Sequence, residues 1–246
     1  MSVTLRVKLK PPPPPVAISW VQSATDTKTH DISVENVLDA IRTGGKKLKD
    51  QITQIRNRFE AELAITGDRK AAKLSFSNRQ NQKEPLQHLI DRLLASEPTM
   101  ISHNPPISLA SASTRVAEET ENVWLEHVFI YVIIREGDGD YHLIIGNGHD
   151  TASKTLMNVE IAALPESSSP YYHTLKSVRD KFEHKYSMCS KKNFWEDHKV
   201  LPEISIKGTL FFDLRHANTG EHVGNKHIKT QTFWEIHPAT YIKFWN

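Results

Sequence analysis

Val128-Phe-Ile-Tyr-Val-Ile-Ile-Arg-Glu-Gly-Asp-Gly-Asp-Tyr-His-Leu-Ile-Ile145 is the stretch on which the fold turns. Two apolar runs flank an acidic Gly-Asp-Gly-Asp turn. Glycine and aspartate tolerate the backbone reversals of a tight turn, so the plainest reading is a hairpin, with strands over about 123–136 and 140–147. A turn of this composition serves structure or holds a cation.

Toward the C-terminus, Asn147-Gly148 opens a polar loop before Lys154–Ala163, a third strand with Leu156, Val159, Ile161 and Ala163 at its inward or cross-strand positions. Pro165-Glu166 ends it. Tyr172, Leu175, Val178, Phe182 and Tyr186 recur at steps of three and four, which predicts a helix over about 170–186 with one face on the sheet. Two more strands follow, over 204–213 and from Thr232 through Pro238 to Phe244. Three strands, a helix and two strands is the order of a five-stranded OB-like barrel. The expected fold class is α+β.

Toward the N-terminus the composition changes. Residues 97–120 are rich in Ser, Thr, Ala, Asn and Pro and read as a linker between a region 1–96 and a domain 121–246. The front region opens with alternating Val3, Leu5, Val7 and Leu9, a strand pattern, and five prolines at 11–15 read as a stiff spacer. Beyond it the pattern is mainly helical. One helix starts near Ser33 and ends at Gly44-Gly45. A second carries Leu48, Ile52, Ile55 and Phe59 on one face and Lys46, Lys47, Lys49, Arg56 and Arg58 on the other. That basic face is the candidate nucleic-acid-binding surface. Pro85 opens a third helix, with Leu86, Leu89, Ile90, Leu93 and Leu94 on one side.

Charge follows the same division. Residues 1–115 hold 17 Lys and Arg against 11 Asp and Glu, and residues 116–246 hold 14 against 18, net +6 and −4. A polyanion partner therefore suits the front better than the barrel. Cys189 is the single cysteine, which excludes an intramolecular disulfide and a cysteine-built zinc site. No apolar run reaches the roughly 18 residues of a membrane span, and residues 1–10 lack a signal-peptide core. The expectation is a cytoplasmic protein with no membrane partner.

On the Asp138-Gly139-Asp140 turn, the Pro165-Glu166 strand end and the long helix that follows, residues 121–246 resemble the staphylococcal-nuclease-like branch of the OB fold. They are also similar to small uncharacterised bacterial proteins that combine Gly139-Asp140-Xaa-His142-Leu143 with Glu235-Ile236-His237-Pro238. The second likeness is the closer and implies no activity. The first implies a Ca²⁺- or Mg²⁺-dependent phosphodiesterase with Asp138 and Asp140 at the metal and Glu166 as general base. The chain departs from that pattern, with Asn158 where the family places an arginine and Ala163 where it places an acid. Arg215 is the only arginine after the fourth strand. Residues 33–75 resemble, weakly, the opening of primase-polymerase-like domains, through Ser33-Val-Glu-Asn-Val-Leu-Asp-Ala-Ile-Arg42, without the paired acids such enzymes need.

Five histidines of the barrel, His142, His216, His222, His227 and His237, lack compact zinc spacing. Asp213, His216, Glu235 and His237 form the set to inspect, with His237 otherwise expected to be a buried residue bonding a backbone carbonyl. The aromatic pairs of the last strands, such as Phe211-Phe212 and Phe233-Trp234, point to opposite faces and are expected chiefly to pack. The leading expectation is a non-catalytic, cofactor-free accessory factor on single- or double-stranded nucleic acid. The alternatives are the phosphodiesterase of the nuclease resemblance and a protein-interaction or self-association module.

Overall fold

A computed structural model of the protein describes residues 68–148, 155–186, 190–197, 200–225 and 227–245. The chain divides into two compact units, Met1–Thr53 and Gln54–Asn246, and the described residues all fall in the second. The strand expected at 2–10, the proline rod and the helix carrying Lys46, Lys47, Lys49, Arg56 and Arg58 lie outside the described residues.

In chain order the described elements begin with α1 (Lys70–Lys73), β1 (Asn81–Lys83) and α2 (Leu86–Ile101), then a 3₁₀ turn at Ala117–Thr120. They continue with β2 (Asn122–Arg135), β3 (Tyr141–Gly146), β4 (Leu156–Ile161), α3 (Tyr172–Tyr186) and β5 (Lys191–Asn193). The last are β6 (Glu203–Phe212), α4 (Leu214–Thr219) and β7 (Trp234–Phe244). The hairpin, third strand, helix and two closing strands stand where the sequence pattern puts them. The short elements α1, β1, β5 and α4 had no pattern long enough to read.

β2 is the curved strand that makes closure workable. Its pairing shifts register between Leu125 and Val128, where His127 takes φ 55°, and again between Ile130 and Val132. Such irregularities bend a strand and increase its twist. β2 therefore pairs with β3 along one edge and β6 along the other. The order β2-β3-β4-β7-β6, with β6 returning to β2, is a closed five-stranded barrel compatible with an OB-like fold. β4 and β7 run parallel, and the other neighbours in the ring are antiparallel.

Period-two alternation fills the barrel. Tyr141, Leu143 and Ile145 of β3, Met157, Val159 and Ile161 of β4, and Trp234 and Ile236 of β7 belong to one buried cluster. Each fully buried aliphatic stabilises by about 1.5–3 kcal/mol relative to exposure. The side chains between them, His142, Asn158, Glu160, Glu235 and His237, are thereby sent to the outer face. The register sets His142 opposite Glu160 and Asn158 opposite Glu235. This alternation creates the site.

α3 lays Leu175, Val178, Phe182 and Tyr186 inward, and α2 contributes Leu86, Leu89, Ile90, Leu93 and Met100 to the main core. Ile107 and Val116, from the stretch between α2 and β2 that reads as a linker, pack against the same core, and Glu119 is completely buried. No helix among the described residues is long and apolar enough to cross a membrane.

Candidate functional site

The outer-face side chains of β4 and β7 would ordinarily meet water. Here Asn158, Glu160, Glu235 and His237 are all at most 2% exposed. They bond to one another. Asn158 Nδ2 donates to Glu160 Oε1 at 3.0 Å and to Glu235 Oε2 at 2.8 Å. His237 Nδ1 lies 2.7 Å from Glu160 Oε2 and 3.2 Å from Glu235 Oε1, while His142 Nε2 is 2.9 Å from Glu160 Oε1. Asp140 joins from the hairpin. Its Oδ1 accepts the Ala163 N–H at 2.5 Å, and its Oδ2 lies 3.7 Å from His237 Nε2 and 3.8 Å from Lys70 Nζ.

The turn holds Asp140 in place for local reasons. Gly139 adopts φ 90°, which suits a residue without Cβ, and Asp138 Oδ1 accepts the Asp140 N–H at 3.2 Å. From the other side, Arg179 of α3 donates from Nη1 to Gly139 O and Ala162 O, both at 3.0 Å, tying the turn to the end of β4.

The segment 68–75 covers the polar face together with residues 109–119. Arg69, Ala71 and Ala72 donate their N–H groups to Leu109, Ser111 and Ser113 carbonyls. The Arg69 guanidinium lies 4.7 Å above the Phe211 ring and pairs with Glu119 through both nitrogens, at 2.6 and 2.5 Å. Arg115 spans strands, donating to Leu210 O at 2.6 Å, to Ser75 O and to His237 O. The second part of this lid, 109–119, lies in the stretch 97–120 that reads as a linker.

Beside the lid opens a cavity of about 840 Å³, with Lys70, Lys73, Asp138, His142, Asp213 and His216 in its wall. Burial opposes the charge on Lys73, but Glu160, Glu235, Asp140 and Asp213 outweigh it and hold the ammonium above the ordinary lysine range. Burial likewise opposes protonation of His142, yet the charge and hydrogen bond of Glu160 push it up to about 10. Glu160 itself is held well below the usual carboxylate range, burial being overcome by His142, His237 and Lys73. Glu235 is pushed up, first by burial and then by Glu160. Two adjacent carboxylates are thus driven in opposite directions beside a cavity, which marks this face as the candidate site.

At the mouth, Asp213 caps α4 by accepting the His216 N–H at 3.1 Å, and its Oδ2 lies 2.5 Å from His216 Nδ1. The pair fixes the ring so that Nδ1 is engaged and Nε2 is left for other partners. The hydrogen bond to Asp213 raises the His216 pKa.

Of the residues singled out from sequence, Asp138 and Asp140 flank Lys70 at 3.9 and 3.8 Å. Glu166 is exposed on the turn after β4, where its carbonyl accepts from Ser169 N–H. Among the described residues, the His and acidic side chains that gather closely enough to share an ion are Asp140, Glu160 and His237. His142, His216 and His222 line the cavity, His237 lies in the buried acidic cluster, and His227 is exposed. His237 engages carboxylates through its ring and not the backbone carbonyl expected of it, because β7 alternation turns it toward β4.

Sequence reasoning did not find Arg69, Lys70, Lys73, Arg115 or Glu160. Glu160 had a signal, since Asn158 and Glu160 alternate with apolar neighbours in β4. The lid residues had none, because their role depends on a fold-back across the barrel. Of the aromatic pairs, Phe212 and Trp234 pack in the core at 5.3 Å, while Phe211 and Phe233 turn outward to cations and to His222. Compared with known protein families, characterised proteins and solved structures, the chain matches none.

Proposed function

We propose that this chain is an enzyme of the phosphoester-hydrolysing class, with its active site in the cavity between the lid and the outer face of β3, β4 and β7. The observation that carries the reading is the convergence of Lys73, His142 and the Asp213–His216 pair on one cavity backed by Asp140, Glu160 and Glu235. The buried carboxylates keep Lys73 and His142 positively charged at neutral pH, so the cavity wall presents fixed cationic donors to an anionic group. Such preorganised donors stabilise charge that develops on phosphoryl oxygens.

In this reading water oxygen bonds to phosphorus and the bond to the ester oxygen breaks. His216, oriented by Asp213, donates its Nε2 proton to the leaving oxygen, and Asp138 in the cavity wall takes up the proton of water. The phosphodiester preference comes from the nuclease-like resemblance of the barrel, with the residues redistributed: Asp138 and His216 carry what Glu166 was expected to carry. The test is cleavage of labelled DNA, RNA and a chromogenic phosphodiester by the full chain with Mg²⁺, Ca²⁺ or Mn²⁺. His216→Asn is expected to lower kcat by roughly 10²–10⁴-fold, while Glu166→Ala leaves it unchanged. Cleavage that survives His216→Asn and falls with Glu166→Ala would sink this assignment.

A second reading rests on the +6 charge of residues 1–115. There the protein is a nucleic-acid accessory factor gripping phosphates with Lys46, Lys47, Lys49, Arg56 and Arg58. Fluorescence anisotropy with single- and double-stranded oligonucleotides across a salt series decides it, because a phosphate grip loses affinity steeply as salt rises. Absence of binding at low salt removes it.

A further inference from the structure

The geometry points to a divalent transition-metal site formed by Asp140, Glu160 and His237 on the outer face of the barrel. The inference rests on the reading of this face as a working site and on atoms that the hydrogen-bond network leaves over. Asp140 Oδ2 and His237 Nε2 are both fully buried, both lack a hydrogen-bond partner, and face each other at 3.7 Å. Glu160 Oε2 is likewise buried without a well-formed hydrogen bond.

A neutral His237 that donates Nδ1–H to a carboxylate presents its Nε2 lone pair to a carboxylate oxygen. Two buried acceptors opposed in this way repel unless something positive lies between them. A doubly protonated ring replaces the repulsion with an ion pair at 3.7 Å, but that is beyond hydrogen-bond reach and does not satisfy both atoms. A metal ion does, because it accepts the Nε2 lone pair and a carboxylate oxygen together. Glu235 Oε1, 3.2 Å from Nδ1, then completes the carboxylate–histidine arrangement that orients metal-binding imidazoles.

The buried groups of this face include four carboxylates, Glu119, Asp140, Glu160 and Glu235, which face Arg69, Lys70, Lys73 and His142. Arg179, buried nearby, is directed at carbonyls of Gly139 and Ala162 and at Glu183. One imidazole nitrogen beside two carboxylates suits Mn²⁺, Fe²⁺ or Zn²⁺, whereas Ca²⁺ takes six to eight oxygens. The set also differs from the one the nuclease resemblance implies, since it leaves out Asp138 and draws Glu160 and His237 from β4 and β7.

Lys70 provides a discriminating test. Its Nζ is buried, without a hydrogen-bond partner, and 3.8 Å from Asp140 Oδ2, so it competes with an ion for that oxygen. Full-length protein, stripped with EDTA and dialysed, is titrated calorimetrically with Mn²⁺ and with Zn²⁺. One ion per chain is expected, with Asp140→Asn weakening binding by about tenfold or more and Lys70→Met, which removes no ligand, tightening it. Circular dichroism checks that both variants are folded. No binding by the native chain, or binding that neither substitution changes, overturns the site. Stoichiometric, Asp140-dependent binding without any hydrolysis supports the site while removing the catalytic proposal. Hydrolysis by a chain that binds no ion does the reverse.

Discussion

His216 is the residue whose titration reports the site from its solvent side. Its bond to Asp213 holds the imidazolium above the ordinary value of about 6.5, and Asp213, although burial pushes it up, is held low by His216 and Lys73. A raised histidine contributes stability that is complete below its unfolded pKa and lost as pH rises through the folded one. A lowered aspartate contributes stability that is complete above its unfolded pKa and lost as pH falls through the folded one. The pair therefore stabilises fully between about pH 4 and 6.5. Proton NMR of the His216 ring is expected to give a pKa above 6.5, falling to that value or below in Asp213→Asn. An unshifted His216 would mean the short contact does not persist in solution. At the same scale, Glu119 pairs with Arg69 and also accepts the Phe212 and Val116 N–H groups. Glu119→Ala leaves a guanidinium and a strand N–H buried without it, and is expected to cost about 3–5 kcal/mol in urea denaturation.

Among the elements, β6 shows how tightly the barrel wall is fitted. Gly208 lies where β6 shifts register against β7, and a Cβ there would come 2.4 Å from Ile236 Cγ2 and 2.5 Å from the Pro238 carbonyl oxygen. The carbonyl belongs to backbone and cannot swing aside. Gly208→Ala is therefore expected to destabilise by at least roughly 1–3 kcal/mol, read as a lower denaturation midpoint at unchanged slope. Because Ile236 and Pro238 flank His237, the same substitution should disturb the His237 environment. The elements were unequally legible. β2 and β3 announced themselves as apolar runs about an acidic turn, and β4, β6, β7, α2 and α3 through residue patterns over at least six residues. α1 spans four residues, 70–73, too few for any period, and its position over the polar face comes from carbonyls at 109–113, which are remote in sequence.

At the scale of the whole molecule, the barrel and the segment before it share one core. α2 supplies Leu89 and Ile90, both fully buried, and Arg92 of α2 bridges Glu84 and Glu121. A chain begun at residue 121 would lose these, along with Arg69, Arg115 and Glu119. It is expected to show no cooperative unfolding transition, whereas a chain begun at residue 54 retains one. Cooperative unfolding of the shorter chain would instead show 121–246 to be an independent domain. The sequence by itself determined the order of strands and helix, the acidic turn, and which side chains alternate outward from β3, β4 and β7, because these depend on local period and turn chemistry. Only the tertiary structure decided that the outward set is buried, that Glu160 and His237 meet across a parallel pair, and that Lys70 and Lys73 face them. Burial of an outward face depends on which distant segment folds over it, and a polar stretch such as 97–120 carries no periodic signal of where its backbone will find its partners.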